Sequence, residues 1–241
     1  MTETMTAGPG AAPPQPGLFS RIIGVIFSPR EAFAAVAARP RWFGAMAVAI
    51  VVMGAAQFAL LSTDVGKQLA LDQNVAAAEA IGFTITDEVY AEMEAGMDRA
   101  RYTGPILLLF AIPLITAITS GILHVMFGLI GGGNGTFKQM YAISGHASII
   151  SALQLVFTTV VTLAAGKPAG ANLSVFAPTL EETTFVYRFL STIDVFYVWS
   201  TFISAVGVAV LYKKRTGPVA MTLFGIYLVI ALIIAFLRSG S

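Results

Sequence analysis

Three ionisable side chains interrupt long apolar stretches of this chain, namely His124, His146 and Asp194. An ionisable group among apolar residues is costly to bury, so such positions are the first places to look for function. Imidazole rings relay protons and bind metal ions, and a carboxylate contacts cations. Any hypothesis about chemistry therefore starts from these three residues.

The two histidines are predicted to lie at a similar depth. His124 precedes Asn134 by ten residues and His146 follows it by twelve, so a regular helical hairpin places both rings about 10 Å from its edge. Two interpretations remain open. The rings form a proton relay or a metal pair, or they make ordinary hydrogen bonds to Ser120 and Tyr141. A metal site needs a third ligand, and no Asp, Glu or Cys occurs at that depth, so no metal or cofactor is predicted.

Asp194 begins a polar stripe with Tyr197, Thr201 and Ser204, at intervals of three, four and three residues. This spacing places the four residues on one helix face. One interpretation is a polar path or an ion contact along that face. In the other, Asp194 lies in the N-terminal turn of a helix, where the helix dipole favours it, and the hydroxyl groups assist helix packing.

The composition excludes several classes of protein. With 241 residues, 56% hydrophobic and 11% charged, the chain has too much apolar surface for a soluble domain of this size. The 14 Lys and Arg residues balance 13 Asp and Glu residues, so no basic field indicates a nucleic-acid partner. The absence of cysteine excludes disulfides and thiolate metal sites. The expected surroundings are a lipid bilayer.

The N-terminal region is predicted to have two parts. Residues 1–17 are rich in Pro, Gly, Ala and Thr, which is typical of a disordered tail. Residues 18–40 contain two short helices, the second beginning at Ser28, Pro29 and Glu31 as N-cap, first helical position and capping-box glutamate. The first has fewer than half the roughly 20 residues that a span needs. Both helices are expected to lie on the membrane surface; the alternative is a docking site for a cytoplasmic partner. Deletion of residues 18–38 is expected to leave the bundle folded but to remove its partners.

Five stretches are long and apolar enough to cross a bilayer of about 30 Å. They cover residues 42–62, 104–130, 139–165, 189–212 and 217–237. Spans two and three form a hairpin whose turn, Gly131, Gly132, Gly133, Asn134 and Gly135, uses glycine where a positive φ costs least. Pro113 is expected to kink span two. An acidic loop, residues 63–103, is predicted to contain two short helices, the second opening at Thr86. This loop and a second one, residues 167–188, lie outside.

Short basic segments define the orientation. Arg30, Arg39 and Arg41 precede span one, Lys138 follows the glycine turn, and residues 213–215 separate spans four and five. All fall on one side of the predicted topology, which is assigned to the cytoplasm. The N-terminus is therefore expected inside and the C-terminus, with its tail RSGS, outside.

Three segments resemble the Yip family of five-span membrane proteins, named for interaction with Ypt/Rab GTPases. They are GGGNGTFKQMYAISGHASI, LSTIDVFYVWSTFISAVGVAV and the early SPREAF. The resemblance covers most of residues 18–237, and it is closest to uncharacterised prokaryotic members. It implies helical membrane partners but no catalytic motif. The alanine-rich composition is typical of bacteria, which lack Rab traffic, so a Rab-type GTPase partner is not expected.

The fold class predicted is all-α, a polytopic membrane bundle of five transmembrane helices with an N-terminal interfacial amphipathic helix. The favoured function is non-enzymatic. It is a protein of the bacterial inner membrane that organises the bilayer or binds other membrane proteins, or copies of itself. The alternative is a transporter or channel for ions or small solutes along the polar face of span four.

Overall fold

The computed structural model describes residues 16–167, 169–181 and 183–239. Most of the predicted N-terminal tail therefore lies outside the described residues, as do Pro168, Glu182 and the last two residues of the C-terminal tail. Within the described part the chain is helical and has no strand. The helices are α1 (Leu18–Phe27), α2 (Pro29–Ala38), α3 (Phe43–Leu61), α4 (Asp64–Ala80), α5 (Asp87–Leu123), α6 (Phe137–Ala165), α7 (Phe185–Thr192), α8 (Val195–Leu211) and α9 (Thr216–Ser239).

Threonine side chains cap four of these helices, among them Thr184 before α7. The hydroxyl groups of Thr63 and Thr86 accept hydrogen bonds from the backbone amides of Gly66 and Val89. Thr136 forms a complete capping box with Gln139, whose side-chain oxygen accepts from the Thr136 amide at 2.8 Å. Each cap satisfies a backbone donor that the first helical turn leaves free. The start of α5 at Thr86 is where the sequence predicts it.

Helix α5 is longer than expected. It runs through Pro105 and Pro113 and continues as a π-helical segment, His124–Ile130, so that 44 residues form one helix from Asp87 to Ile130. The sequence instead predicts a separate short outer helix, with a span that starts at residue 104. That division was wrong because residues 87–103 are mostly strong helix formers and contain no proline.

Five helices form the body of the bundle: α3 packs against α5 and α6, and α8 packs against α6 and α9. Among the described residues, four helices are long and apolar enough to cross a membrane: Phe43–Leu61, Asp87–Ile130, Phe137–Ala165 and Thr216–Leu237. Helix α8 is shorter, with 17 residues. The predicted class, an all-helical membrane bundle, is confirmed.

Helix α6 lies at the centre of the bundle. It packs against α2, α3, α5 and α8, and Met140, Ile143 and Ile150 on it are fully buried. Gly207 lets α8 approach α6 closely, since an added Cβ there would collide with the Ile143 side chain. Buried apolar area of this kind, together with close backbone approach, holds lipid-embedded helices together.

Helices α1 and α2 each pack one face against the bundle. Val25, Phe33 and Val36 are fully buried and belong to the main core. Only one side of α1 faces outward, with Phe19 and Phe27 exposed. The surface location of both helices stays a prediction, and the structure adds that one face of each packs in the bundle, because an amphipathic pattern does not distinguish contact with lipid from contact with a neighbouring helix.

The two ends of the bundle differ in charge. At one end, which we call the basic end, α2 meets the α5–α6 turn (residues 131–136) and the α8–α9 turn (residues 212–215). Gln139 donates to the Ala37 carbonyl and Lys214 to the Gly131 carbonyl there, each at 2.8 Å. The opposite end carries the α4–α5 hairpin (residues 64–102) and residues 166–194.

Candidate functional site

At the basic end, the glycine turn surrounds the ring of Tyr212, the residue that follows α8 as its C-cap. Tyr212 is buried, and its hydroxyl oxygen is 2.8 Å from Nδ1 of His124. An added Cβ at Gly133 would collide with the Tyr212 ring, and one at Gly135 would lie 2.8 Å from ring atom Cε1. Glycine at these two positions is therefore required by the close packing of Tyr212.

A positive φ explains fewer of the turn glycines than the sequence predicts. Of the predicted turn residues, Gly132 alone has a positive φ, +67°. At Gly131 an added Cβ would lie 2.7 Å from the Phe127 carbonyl oxygen, a contact that real Cβ atoms do not make. Asn134 is exposed at the tip. Close approach accounts for Gly131, Gly133 and Gly135, and conformational freedom accounts for Gly132.

His146 is fully buried, and its two ring nitrogens have different partners. Nδ1 lies 2.8 Å from the Ala142 carbonyl oxygen one helical turn earlier. A carbonyl only accepts, so Nδ1 carries the proton, and in the neutral ring Nε2 is then an acceptor. Nε of Arg21 donates to Nε2 at 3.4 Å. Arg21 also donates through Nη1 to the Pro16 carbonyl at 2.9 Å, so His146 joins α1 to the centre of the bundle.

The two histidines have separate partners. His124 bonds to α8 through Tyr212, and His146 bonds to α1 through Arg21. Among the described residues no group of three His, Cys, Asp or Glu side chains is positioned to hold a metal ion. Of the two interpretations left open by the sequence, this geometry favours hydrogen-bonded histidines. Their partners are Tyr212 and Arg21, while the predicted ones, Ser120 and Tyr141, bond elsewhere.

Asp194 lies at a break in predicted span four. The sequence predicts one helix over residues 189–212, whereas α7 ends at Thr192 and α8 begins at Val195. Asp194 is the N-cap of α8, and its Oδ1 accepts from the amides of Phe196 at 2.8 Å and Tyr197 at 3.3 Å. The prediction of a continuous span was wrong because this cap, like Thr184 before α7, starts a new helix.

The break is covered by backbone pairing and by a tyrosine. The amide of Val195 donates to the Ala171 carbonyl at 3.0 Å, and the amide of Leu173 donates to the Ile193 carbonyl at 2.9 Å. Tyr227 of α9 donates through its hydroxyl to the Thr192 carbonyl at 2.9 Å and accepts from the Asp194 amide at 3.3 Å. These bonds satisfy groups that a helix interruption leaves free.

The polar stripe of α8 divides into two parts. Asp194 and Tyr197 line a cavity of about 470 Å³, together with Asn172 and Tyr227. Thr201 and Ser204 do not line it, although both are partly exposed. The structure thus collects polar groups at the N-terminal end of α8, around the helix break.

Comparison with known proteins assigns the family. The Yip1 domain model matches residues 23–237, nearly the whole described chain. The chain belongs to the Yip1 domain family. It is 26% identical over 245 residues to membrane protein YknW of Bacillus subtilis (strain 168), covering 99% of this chain and 98% of that protein. No solved structure gives a significant match.

Three residues that join the helices of this Yip1 domain do not appear among the sequence-based candidates, namely Arg21, Tyr212 and Tyr227. Each is a polar residue in or at the end of an apolar helix. Arg21 is the single charge in α1, and Tyr227 lies in the middle of α9. A search extended from ionisable residues in the spans to every polar side chain in an apolar helix would have found them.

The α4–α5 hairpin of this Yip1 domain exposes acidic side chains and an apolar tip. Asp72, Glu79, Glu88 and Glu92 are exposed, and at the tip Phe83 is 66% exposed beside Ile81. One ion pair closes the hairpin near the bundle, with Nζ of Lys67 2.6 Å from Oδ1 of Asp98. The Lys67 hydrogen bond, and then its charge, hold the pKa of Asp98 below the ordinary 3.8.

Proposed function

We propose that this Yip1 domain protein is a non-enzymatic integral membrane protein that binds other membrane or peripheral proteins, or further copies of itself. The observation that carries the proposal is that the polar side chains in its apolar helices make structural hydrogen bonds. His124, His146 and Asp194 each hold helices or helix ends in place through hydrogen bonds. Side chains with those roles support a scaffold, whose function lies on its surfaces.

The α4–α5 hairpin is the surface best suited to a protein partner. Its exposed carboxylates repel anionic lipid headgroups and attract basic protein surfaces. Its tip adds Ile81 and Phe83, both exposed, and an aromatic anchor within a polar rim is typical of interaction surfaces. Helices α1 and α2, which the sequence favours as the docking segment, use one face for the core through Val25 and Phe33.

The proposed setting is the cytoplasmic membrane of a bacterium, with the basic end inside. The relative YknW is a bacterial membrane protein. Basic residues gather at the end of the bundle where α2 and two tight turns meet, as the positive-inside rule requires of a cytoplasmic face. The acidic hairpin is then outside, where the partner is expected. A Rab-type GTPase is not the expected partner.

Site-specific photo-crosslinking in native membranes tests the scaffold function. A photoreactive residue at Phe83 should give a defined crosslinked protein that mass spectrometry identifies reproducibly. The matched control places the same residue at Asn134, an exposed turn position at the other end. We expect the Phe83 product to disappear when Ile81→Ser is added, with unfolding unchanged. Crosslinks to lipid alone at both positions would contradict the proposal.

A transporter is the second candidate, because Asp194 and Tyr197 line a cavity of about 470 Å³ at the N-terminal end of α8. In reconstituted vesicles, Asp194→Asn and His146→Ala should then abolish the flux of a small cation. Asn retains an oxygen that caps the helix, so the Asn variant separates loss of charge from loss of fold. Wild-type vesicles that stay tight to the solute would exclude this function.

A further inference from the structure

Four cations line one cavity at the basic end. The cavity has a volume of about 630 Å³, and its wall is formed by Arg30 of α2, by Lys213, Lys214 and Arg215 of the α8–α9 turn, and by the first turn of α9. No carboxylate lines it. The exposed amide groups at a helix start also favour an anion. The cavity therefore has the electrostatic character of a site for a negatively charged group.

These cations have few protein partners. None of the four forms a salt bridge with a described residue. Lys214 donates to the Gly131 carbonyl, which fixes its ammonium group beside the turn and leaves its other two donors available. Arg30, Lys213 and Arg215 are exposed. The forked guanidinium groups of Arg30 and Arg215 and the compact ammonium group of Lys213 all donate hydrogen bonds that suit phosphate oxygens.

A second cavity, of about 610 Å³, adjoins the first. Both are lined by Arg30, Thr216 and Gly217. The second is bounded by apolar side chains of two spans, Phe202 and Val206 of α8 with Ala220 of α9. Phe202 precedes Tyr212 by ten residues, so the groove reaches about 15 Å along the bundle from the basic turn. Glu31 is the single carboxylate on its wall.

We propose that the two cavities together bind one anionic phospholipid. The phosphate group lies among Arg30, Lys213 and Arg215, and one acyl chain lies along the groove between α8 and α9. A soluble phosphate would use the first cavity alone and leave the apolar groove without a function. The continuity of a four-cation cavity with an apolar groove of acyl-chain depth favours a lipid, whose headgroup and chain meet at this boundary.

The test is native mass spectrometry of the full-length protein in detergent, titrated with phosphatidylglycerol and with phosphatidylcholine. Wild-type protein should retain one phosphatidylglycerol at least tenfold more tightly than phosphatidylcholine. The variant Arg30→Gln/Lys213→Gln/Arg215→Gln should lose that preference. The control, Arg39→Gln/Arg41→Gln/Lys138→Gln, removes the same charge from exposed positions of the basic end that do not line the cavity, and should keep it.

Two further arms separate the possible ligands. Ala220→Leu fills the groove and should weaken phosphatidylglycerol binding at least threefold, and millimolar inorganic phosphate should not displace the lipid. If inorganic phosphate displaces phosphatidylglycerol and Ala220→Leu leaves its binding unchanged, the lipid assignment is overturned. An equal loss in both triple variants would also overturn it, because the effect would then be general surface charge. If the triple variant does not fold, Arg30→Gln alone, at an exposed position, should still weaken binding.

Discussion

At the scale of single residues, the polar side chains of the apolar helices connect neighbouring helices through hydrogen bonds. His124 fixes the end of α8, His146 fixes α1 through Arg21, and the Asp194 carboxylate caps the helix that it begins. Leaving such a group buried and unpaired costs about 1–3 kcal/mol. Substitution at these positions therefore changes the fold as well as any activity, and each experiment on activity needs a stability measurement beside it.

Gly207 gives a direct test of the contact between α6 and α8. Gly207→Ala should lower the free energy of unfolding by about 1–3 kcal/mol, because the new methyl group collides with Ile143 in a packed core. The matched control is Gly121→Ala, since an added Cβ there meets no atom within 4 Å, and it should be neutral or stabilising. Chemical unfolding in micelles measures both. Equal effects would refute the close approach.

The Lys67–Asp98 pair predicts how the hairpin responds to acid. The pKa of Asp98 is lowered in the folded protein. The stability that the pair contributes is therefore fully present above the pKa of Asp98 in the unfolded chain, and it is lost as the pH falls through the folded pKa. Lys67→Met should move the pKa of Asp98 up toward 3.8, as followed by carboxyl NMR titration. Lys138→Met, at the basic end, should leave that pKa unchanged. A pKa that stays low in Lys67→Met would show that another group lowers it.

At the scale of elements, α1 and α2 are part of the bundle. Phe33 has no exposed surface, and its ring lies 3.4 Å from where a Cβ on Gly207 would stand. The sequence-based expectation that residues 18–38 can be deleted without unfolding the rest is therefore not supported. Removal of the two helices would uncover the buried faces of α6 and α8.

Substitution of one phenylalanine in each of these two helices tests whether α2 is part of the core. Phe33→Ala should lower the free energy of unfolding by about 3–5 kcal/mol, the cost of truncating a fully buried aromatic ring. Phe27→Ala is the control, since Phe27 is 79% exposed, and it should change stability by less than about 0.5 kcal/mol. Chemical unfolding in micelles measures both, and similar values would place α2 outside the core.

The sequence predicts elements better than their interruptions. Runs of apolar residues locate the long helices, since length and hydropathy are properties of one segment. The break at Asp194 depends on Tyr227 and on residues 171–173, which are distant in sequence, so no local pattern reveals it. The same holds for His146, whose partner Arg21 lies 125 positions away, and for the cavity that joins Arg30 to residues 213–218.

At the scale of the whole molecule, the five helices that cross the bundle separate two unlike ends. The basic end holds short turns and the start of α2, and the opposite end holds the acidic hairpin and residues 166–194. Because basic residues are retained in the cytoplasm, the charge difference predicts the sidedness of the entire chain. The same charge difference places the two proposed sites on opposite sides of the membrane, with the lipid site inside and the protein-binding hairpin outside.

Cysteine labelling tests the sidedness, since the natural chain contains no cysteine. Glu88→Cys, on the hairpin, should react with a membrane-impermeant maleimide in intact spheroplasts. Asn134→Cys, in the exposed turn of the basic end, should react only after permeabilisation. Both positions are exposed, so any difference reports location. The reverse pattern would invert the proposed orientation.

The shortness of α8 has a consequence for the surrounding membrane. Its 17 residues reach about 25 Å, whereas the hydrocarbon layer of a bilayer is about 30 Å thick, and Val195, Val198 and Phe202 are exposed along it. We expect lipids beside α8 to compress, at a cost of a fraction of a kcal/mol for each ångström of mismatch. Shorter or more disordered acyl chains would gather on that flank, and two such proteins would lower the cost by sharing one thinned patch.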